Sequence, residues 1–143
     1  MSKCIFCNIA AGKAEAAFVY QDALVSAFMD IQPINPGHVL VIPNAHSGDL
    51  ADLPEDTGAH LFRIAQRLAA GLRTSGLRCE GVNFFLADGE VAGQEVFHVH
   101  LHVFPRFQGD GFGLKITEQC FARPLRVELA EAAEKIRHGL EAV

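Results

Sequence analysis

The chain has 143 residues, half of them hydrophobic, with 17 acidic against 12 basic side chains and a net charge of −5. That length suits one domain with its own core, residues 1–143, and no run approaches the ~20 apolar residues of a membrane span. No Lys/Arg cluster offers a face to nucleic acid, and no basic segment followed by an apolar run marks a secretory signal, so the four cysteines are expected to be reduced or metal-bound in the cytoplasm.

The first feature in chain order is Cys4-Ile5-Phe6-Cys7. A Cys-x-x-Cys pair is half a zinc site, a redox pair or two buried thiols. A redox pair expects a strand before it, for which the preceding residues leave no room. Zinc would need histidines from elsewhere to complete a tetrahedron. Asn8 to Gly12 read as a short helix stopped by glycine. Phe18-Val19-Tyr20-Gln21 and Leu24 to Asp30 read as strands joined by the turn Gln21-Asp22-Ala23, hence a hairpin. Ile31-Gln32-Pro33-Ile34-Asn35-Pro36-Gly37 is a loop, broken by two prolines and a glycine. His38-Val39-Leu40-Val41-Ile42-Pro43 is nearly all apolar, which predicts a central strand. Asp30, at a strand end beside the loop, is either a ligand contact or a turn-capping aspartate.

His46, taken alone, reads as a surface loop residue. Asp52-Leu53-Pro54-Glu55-Asp56 starts a helix, with proline in the first turn and acids at the positive dipole end. Leu61, Ile64, Ala65, Leu68, Ala69 and Leu72 form one apolar stripe of that helix, which runs to about Thr74 and stops at Gly76. His60 lies off the stripe, at an exposed position. Gly81 to Ala87 read as a fourth strand, and Asp88 to Gly93 as a turn into a fifth that pairs with it antiparallel. Gly93 and the loop after it can bring backbone N–H groups close to an anion.

The fifth strand carries His98-Val99-His100-Leu101-His102-Val103-Phe104. Strand side chains alternate between faces, so the three histidines share one face at a spacing of roughly 6–7 Å, while Val99, Leu101 and Val103 share the other. A helix would scatter them. This face is a polar surface, a metal site, or a nucleophilic histidine with helpers; histidines at i and i+2 of a strand can bind zinc, so spacing does not separate the last two. Phe107 to Gly113 is a glycine-rich loop without the Gly-Lys-Ser/Thr of a P-loop. Residues from about 124 to about 140 form a closing helix, with Leu125, Leu129, Ala132, Ala133 and Ile136 on its apolar face. His138, near its C-terminus, suits the dipole. Cys79 and Cys120 read as ordinary buried or half-buried thiols.

The histidine run, with Ala92-Gly93-Gln94 before it and Pro105-Arg106 after it, resembles the histidine triad (HIT) family. Pro36-Gly37-His38-Val39-Leu40-Val41-Ile42-Pro43, Ala27-Phe28-Met29-Asp30-Ile31 and Cys4-Ile5-Phe6-Cys7-Asn8-Ile9 are similar to it as well, and the N-terminal Cys-x-x-Cys is similar to its bacterial-type branch. The resemblance covers nearly the whole chain. It implies an α+β fold: an antiparallel sheet of about five strands with one long helix, a short N-terminal helix and a C-terminal helix. It implies a homodimer that binds purine nucleotides, while the charge pattern and the lack of a long apolar run argue against nucleic acid and membrane as partners. The implied reaction is hydrolysis or transfer at the α-phosphate of adenosine phosphoramidates or dinucleoside polyphosphates, through a covalent nucleotidyl-histidine.

The resemblance makes His100 the nucleophile. Its second ring nitrogen would be fixed by a backbone carbonyl or by His38, His102 would donate to a phosphate oxygen, and the N–H of Val96 would add a donor. Ile5, Phe6, Ile9 and Ile31 would line the base pocket, Asp30 would accept from the ribose hydroxyls, and Gln94 and Glu95 would lie against the substrate. Cys4, Cys7, His46 and His98 would hold a structural zinc, and the chemistry itself would need no metal. Two positions depart from the family: Ala87 replaces an Asn or Gln, and Glu95 replaces a Ser or Thr. They leave open a nucleotide-binding or scaffold protein with vestigial catalysis. A zinc hydrolase using the triad as metal ligands is a further competitor.

Overall fold

The computed structural model describes residues 3–143, which divide after Gly111 into two compact units. The first unit holds an antiparallel sheet of five strands: β1 (Phe18–Gln21), β2 (Val25–Met29), β3 (Val39–Pro43), β4 (Gly81–Phe85) and β5 (Leu101–Arg106), in the order β1-β2-β3-β5-β4. It also holds a short helix α1 (Ile5–Ala10) and a long helix α2 (Glu55–Thr74). The second unit contains a 3-10 turn at Glu118–Phe121 and helix α3 (Arg126–Leu140). No helix among the described residues is long and apolar enough to cross a membrane.

Strand alternation sorts the sheet into two faces. Val25, Ala27, Val39, Val41, Leu101 and Val103 point to one side, where they meet Leu61, Ile64, Ala65 and Leu72 of α2. Each of the valine, leucine and isoleucine side chains among them contributes about 1.5–3 kcal/mol by leaving water. Phe28, Leu40 and Ile42 point to the other side, against Phe6 and Ile9 of α1. Strand β3 is buried along its whole length, as its unbroken apolar run predicts.

Asp22 sets the hairpin: its Oδ1 accepts the N–H groups of Leu24 and Val25, each at 2.8 Å. At the far end of the sheet, β4 is an open edge. Phe84 and Phe85 are exposed on it, and the Phe62 ring of α2 meets Phe84 edge-on at 5.6 Å. Open edges are the usual template for pairing with another chain.

Two elements differ from their sequence reading. Helix α1 begins at Ile5 rather than Asn8, because Cys4 to Cys7 is itself its first turn, with the Asn8 N–H bonded to Cys4 O at 3.2 Å. The histidine strand begins only at Leu101. Before it the chain bends at Val96 to His98, where the His98 N–H turns back to Val96 O (2.8 Å), and the Val99 N–H goes to Ser47 O (2.8 Å). In the second unit, Glu128 accepts the Leu125 N–H at 2.7 Å at the start of α3, and Leu125, Leu129 and Ile136 of the expected apolar face are exposed.

Candidate functional site

The site begins in the loop between β2 and β3. Asp30 Oδ1 accepts the Gln32 N–H (2.8 Å), the turn-capping role open to it. The chain then returns through Gly37, whose φ of 102° excludes other residues, and whose added Cβ would meet Leu77 Cδ1 at 2.9 Å. This return aims the Ile34 N–H at Nδ1 of His38, at 3.0 Å. A ring nitrogen that accepts carries no proton, so His38 has its proton on Nε2. His38 Nε2 lies 2.9 Å from His102 Nδ1 and therefore donates to it. By the same reasoning His102 carries its proton on Nε2. Asp30 Oδ2 stands 3.5 Å from His38 Nε2 and 3.8 Å from His102 Nδ1. Asp30, His38 and His102 are close enough to hold a cation. His38 has its Nδ1 lone pair on the Ile34 amide and a proton on Nε2, which makes His38 and His102 a hydrogen-bond relay with the Asp30 carboxylate beside it.

His100 is buried, with its ring edge against Phe6 (5.2 Å) and against His102 (4.9 Å). Its Nδ1 lies 2.7 Å from the carbonyl oxygen of His98. A carbonyl only accepts, so the His100 proton is on Nδ1 and the lone pair is on Nε2. Of the two partners expected for this ring, the structure selects the carbonyl; His38 serves His102.

Burial lowers the His102 pKa to about 4, helped by the neighbouring His100 and His38 and opposed by Asp30. Burial also lowers that of His38, again against Asp30. Both rings are therefore neutral at neutral pH, as the relay requires. Between 6.5 and about 4 the unfolded chain binds a proton at residue 102 that the folded chain refuses. The stabilising contribution is complete above 6.5 and disappears as pH falls toward 4. Urea midpoints measured at about pH 7 and about pH 4.5 should fall less in His102→Gln than in the wild type. Equal falls would contradict the assignment.

A second cluster lies under α1. Cys4, Cys7, His46 and His98 bring one donor atom each to within 4.8 Å of one another. His98 Nδ1 is 3.4 Å from Cys4 Sγ, 3.5 Å from Cys7 Sγ and 3.3 Å from His46 Nδ1, and His46 Nδ1 is 3.4 Å from Cys7 Sγ. A tetrahedron with bonds of about 2.0–2.3 Å has donor–donor edges of roughly 3.3–3.8 Å, so the set fits zinc. The second shell fits too. His98 Nε2 donates to Pro43 O at 2.8 Å, which leaves Nδ1 free of its proton to ligate. Burial pushes the His98 pKa down, with the Pro43 carbonyl opposing, so the ring is neutral. Among the triad, only His98 turns to the cysteines.

The other expected contacts divide. Phe6 and Ile9 are buried in the core cluster beneath the histidines, whereas Ile5 is half exposed and Ile31 is 94% exposed. The side chain of Gln94 is committed to the loop around it. Its amide donates to Gly48 O (2.7 Å) and Val96 O (3.2 Å), and its Oε1 accepts the Gly89 N–H (2.8 Å). Val96 is half-buried, Glu95 exposed and Ala87 buried.

His60, expected to be exposed, is half-buried and pairs with Asp22 at 2.6 Å. Burial alone would raise the Asp22 carboxyl, but hydrogen bonds from His60, Val25, Leu24 and Tyr20 hold it well below the usual carboxylate range. Cys120 is exposed, against its reading as a buried or half-buried thiol. The latch formed by Asn35, Arg106 and Asp110 had no signal in the sequence. Asn35 Nδ2 donates to Pro105 O and to Asp110 Oδ2, both at 2.9 Å, and Arg106 grips Asp110 through Nε (2.5 Å) and a terminal nitrogen (2.8 Å).

Comparison with known proteins finds relatives along most of the chain. Residues 11–109 match the HIT domain model. An uncharacterized HIT-like protein of Methanocaldococcus jannaschii is 38% identical over 134 residues, 94% of this chain and 98% of its own length. The crystal structure of a zinc-bound histidine triad family protein from Mycobacterium smegmatis superposes with a TM-score of 0.75 at 42% identity, covering 82% of this chain and 85% of that one. A histidine triad nucleotide-binding protein from Candida albicans superposes with a TM-score of 0.85 at 29% identity, covering 98% and 99%.

Proposed function

Because the chain belongs to the HIT domain family, we propose that it hydrolyses or transfers nucleoside monophosphates from purine nucleotide conjugates through a nucleotidyl-His100 intermediate. What carries this reading is the opposite protonation of two touching rings. His100 has a lone pair on Nε2, and His102, 4.9 Å away between centroids, has a proton on Nε2. One ring can attack phosphorus while the other donates to an oxygen that gains charge.

In the first step His100 Nε2 bonds to the α-phosphorus and the bond to the leaving group breaks; a leaving amine takes its proton from solvent or Glu95, and a leaving nucleoside phosphate departs as the anion. The ring becomes cationic, which strengthens its Nδ1–H bond to the His98 carbonyl. His102 Nε2–H and the Val96 N–H steady the phosphoryl oxygens. Water then attacks phosphorus and gives up a proton to solvent, and the P–N bond breaks, releasing the nucleoside monophosphate and returning His100 to its neutral form. Asp30 would accept from the ribose, with Phe6 and Ile5 toward the base.

Cys4, Cys7, His46 and His98 would hold zinc. It would act as a cross-link that fixes residue 98, and it takes part in no bond change. The fit of the donor spacing and the zinc-bound relative support this assignment.

Glu95 and Ala87 bear on the substrate. An exposed carboxylate on the loop before the triad repels polyphosphate, can protonate a leaving amine, and replaces a neutral hydroxyl in the family pattern. Phosphoramidates should therefore exceed diadenosine polyphosphates in kcat/KM by about 10-fold or more, the size of one like-charge contact near a surface. Glu95→Ser should narrow that gap. Faster cleavage of the polyphosphate by the wild type would contradict the assignment. Ala87 and Glu95 are also what favours a binding protein with vestigial catalysis. That reading predicts tight nucleotide binding with no covalent intermediate.

A further inference from the structure

The relay from His38 to His102 contains an ambiguity that one backbone group resolves. A proton between His38 Nε2 and His102 Nδ1 can belong to either ring. Asp30 Oδ2 stands 3.5 Å from His38 Nε2 and 3.8 Å from His102 Nδ1, too far for a good hydrogen bond to either, so it does not fix the choice. If the proton sits on His102 Nδ1, then His102 Nε2 bears a lone pair, and it repels a phosphoryl oxygen instead of donating to it. The Ile34 N–H on His38 Nδ1 is what decides, because it forces the His38 proton onto Nε2.

The position of that amide depends on Asn35. The loop around it carries two prolines; the Asn35 carbonyl accepts the His38 N–H at 3.1 Å, and the Asp30 N–H bonds to His38 O at 2.9 Å. The Asn35 side chain ties the loop to the end of β5 and the segment after it. It is buried, and its amide bonds to Pro105 O at the end of β5 and to Asp110 Oδ2, which Arg106 holds in place. We propose that Asn35, latched by Asp110, is a positioning residue that holds the Ile34 amide on His38 and so keeps the His102 proton on Nε2, facing the substrate phosphate. The inference rests on the nucleotidyl-transfer reading for the use of that proton, but not for its placement.

Nitrogen-15 NMR of the zinc-loaded full chain, labelled at histidine, reads the tautomers without turnover. In the wild type His38 and His102 should both be Nε2–H. In Asn35→Ala both should shift toward a mixture with Nδ1–H. kcat for adenosine phosphoramidate should fall about 10-fold with KM within about 2-fold, since the lost donor matters most when charge develops. Asp110→Asn loosens the latch from its other end and takes the place of Asn35→Ala if that variant does not fold. A folded variant that keeps both Nε2–H tautomers overturns the proposal, whatever its activity. If the tautomers shift as expected while wild type shows no turnover, the positioning role stands and the nucleotidyl-transfer reading falls.

Discussion

His100→Ala is expected to lower kcat for adenosine phosphoramidate by on the order of 10⁴-fold, equivalent to about 5 kcal/mol of transition-state stabilisation. No other ring can substitute. His98 has both nitrogens engaged, by Pro43 O and by the Cys4–Cys7–His46 cluster. His102 has its Nδ1 lone pair on His38 and a proton on its other nitrogen. The His100 side chain is small and packs edge-on against Phe6, so its loss should leave the fold and nucleotide KM nearly intact. His102→Ala should behave differently. It removes one donor and leaves the nucleophile, so kcat should fall by about 10²–10³, the cost of one donor at a developing oxyanion. Steady-state kinetics on both variants check this. Equal losses, or a larger loss at His102, would mean that residue 102 does the bonding.

Cys4→Ser is expected to reduce bound zinc from one equivalent to near zero and to lower the thermal midpoint by about 10 °C, for a loss of about 3 kcal/mol. The second consequence is catalytic. His98 links the two sites through one residue: its ring belongs to the cysteine cluster, and its carbonyl fixes the tautomer of His100. Releasing the ring frees the carbonyl, so kcat should fall about 10-fold or more, as for outer-shell partners of other polar sites. Metal analysis and calorimetry of wild type and variant read the first effect, and kinetics at a temperature where both are folded read the second. A wild type that purifies without metal and keeps full stability and activity would remove the zinc assignment.

The fold was legible where periodicity decides it. The apolar stripe Leu61–Ile64–Ala65–Leu72 is the buried face of α2, and the unbroken run Val39 to Pro43 is the fully buried centre of the sheet. Alternation placed Val99, Leu101 and Val103 inward, and it holds although the ladder starts only at Leu101. What periodicity does not carry was misread. The start of α1 depends on Cys4 and Cys7 sharing one turn, and His60 depends on an aspartate 38 residues away. The partner of His38 could not be read at all, because a backbone amide in an irregular loop chooses it. Asn35, Arg106 and Asp110 look like ordinary loop and strand-end residues until the loop is folded over β5.

The pattern of protons gives the site its direction. Backbone groups set the two tautomers that matter: the His98 carbonyl for His100, and the Ile34 amide, through His38, for His102. Such assignments cost no charge, which suits a nucleophile that attacks through a lone pair and a donor that must be protonated without being cationic.

The most direct measurement is intact-protein mass spectrometry after rapid mixing with an adenylated substrate and acid-free quenching. The wild type should gain one adenylyl unit within the first turnover and lose it again as substrate is exhausted, while His100→Ala gains none. Product formation by the wild type with no adduct at any mixing time, or an adduct that persists in His100→Ala, would contradict the account.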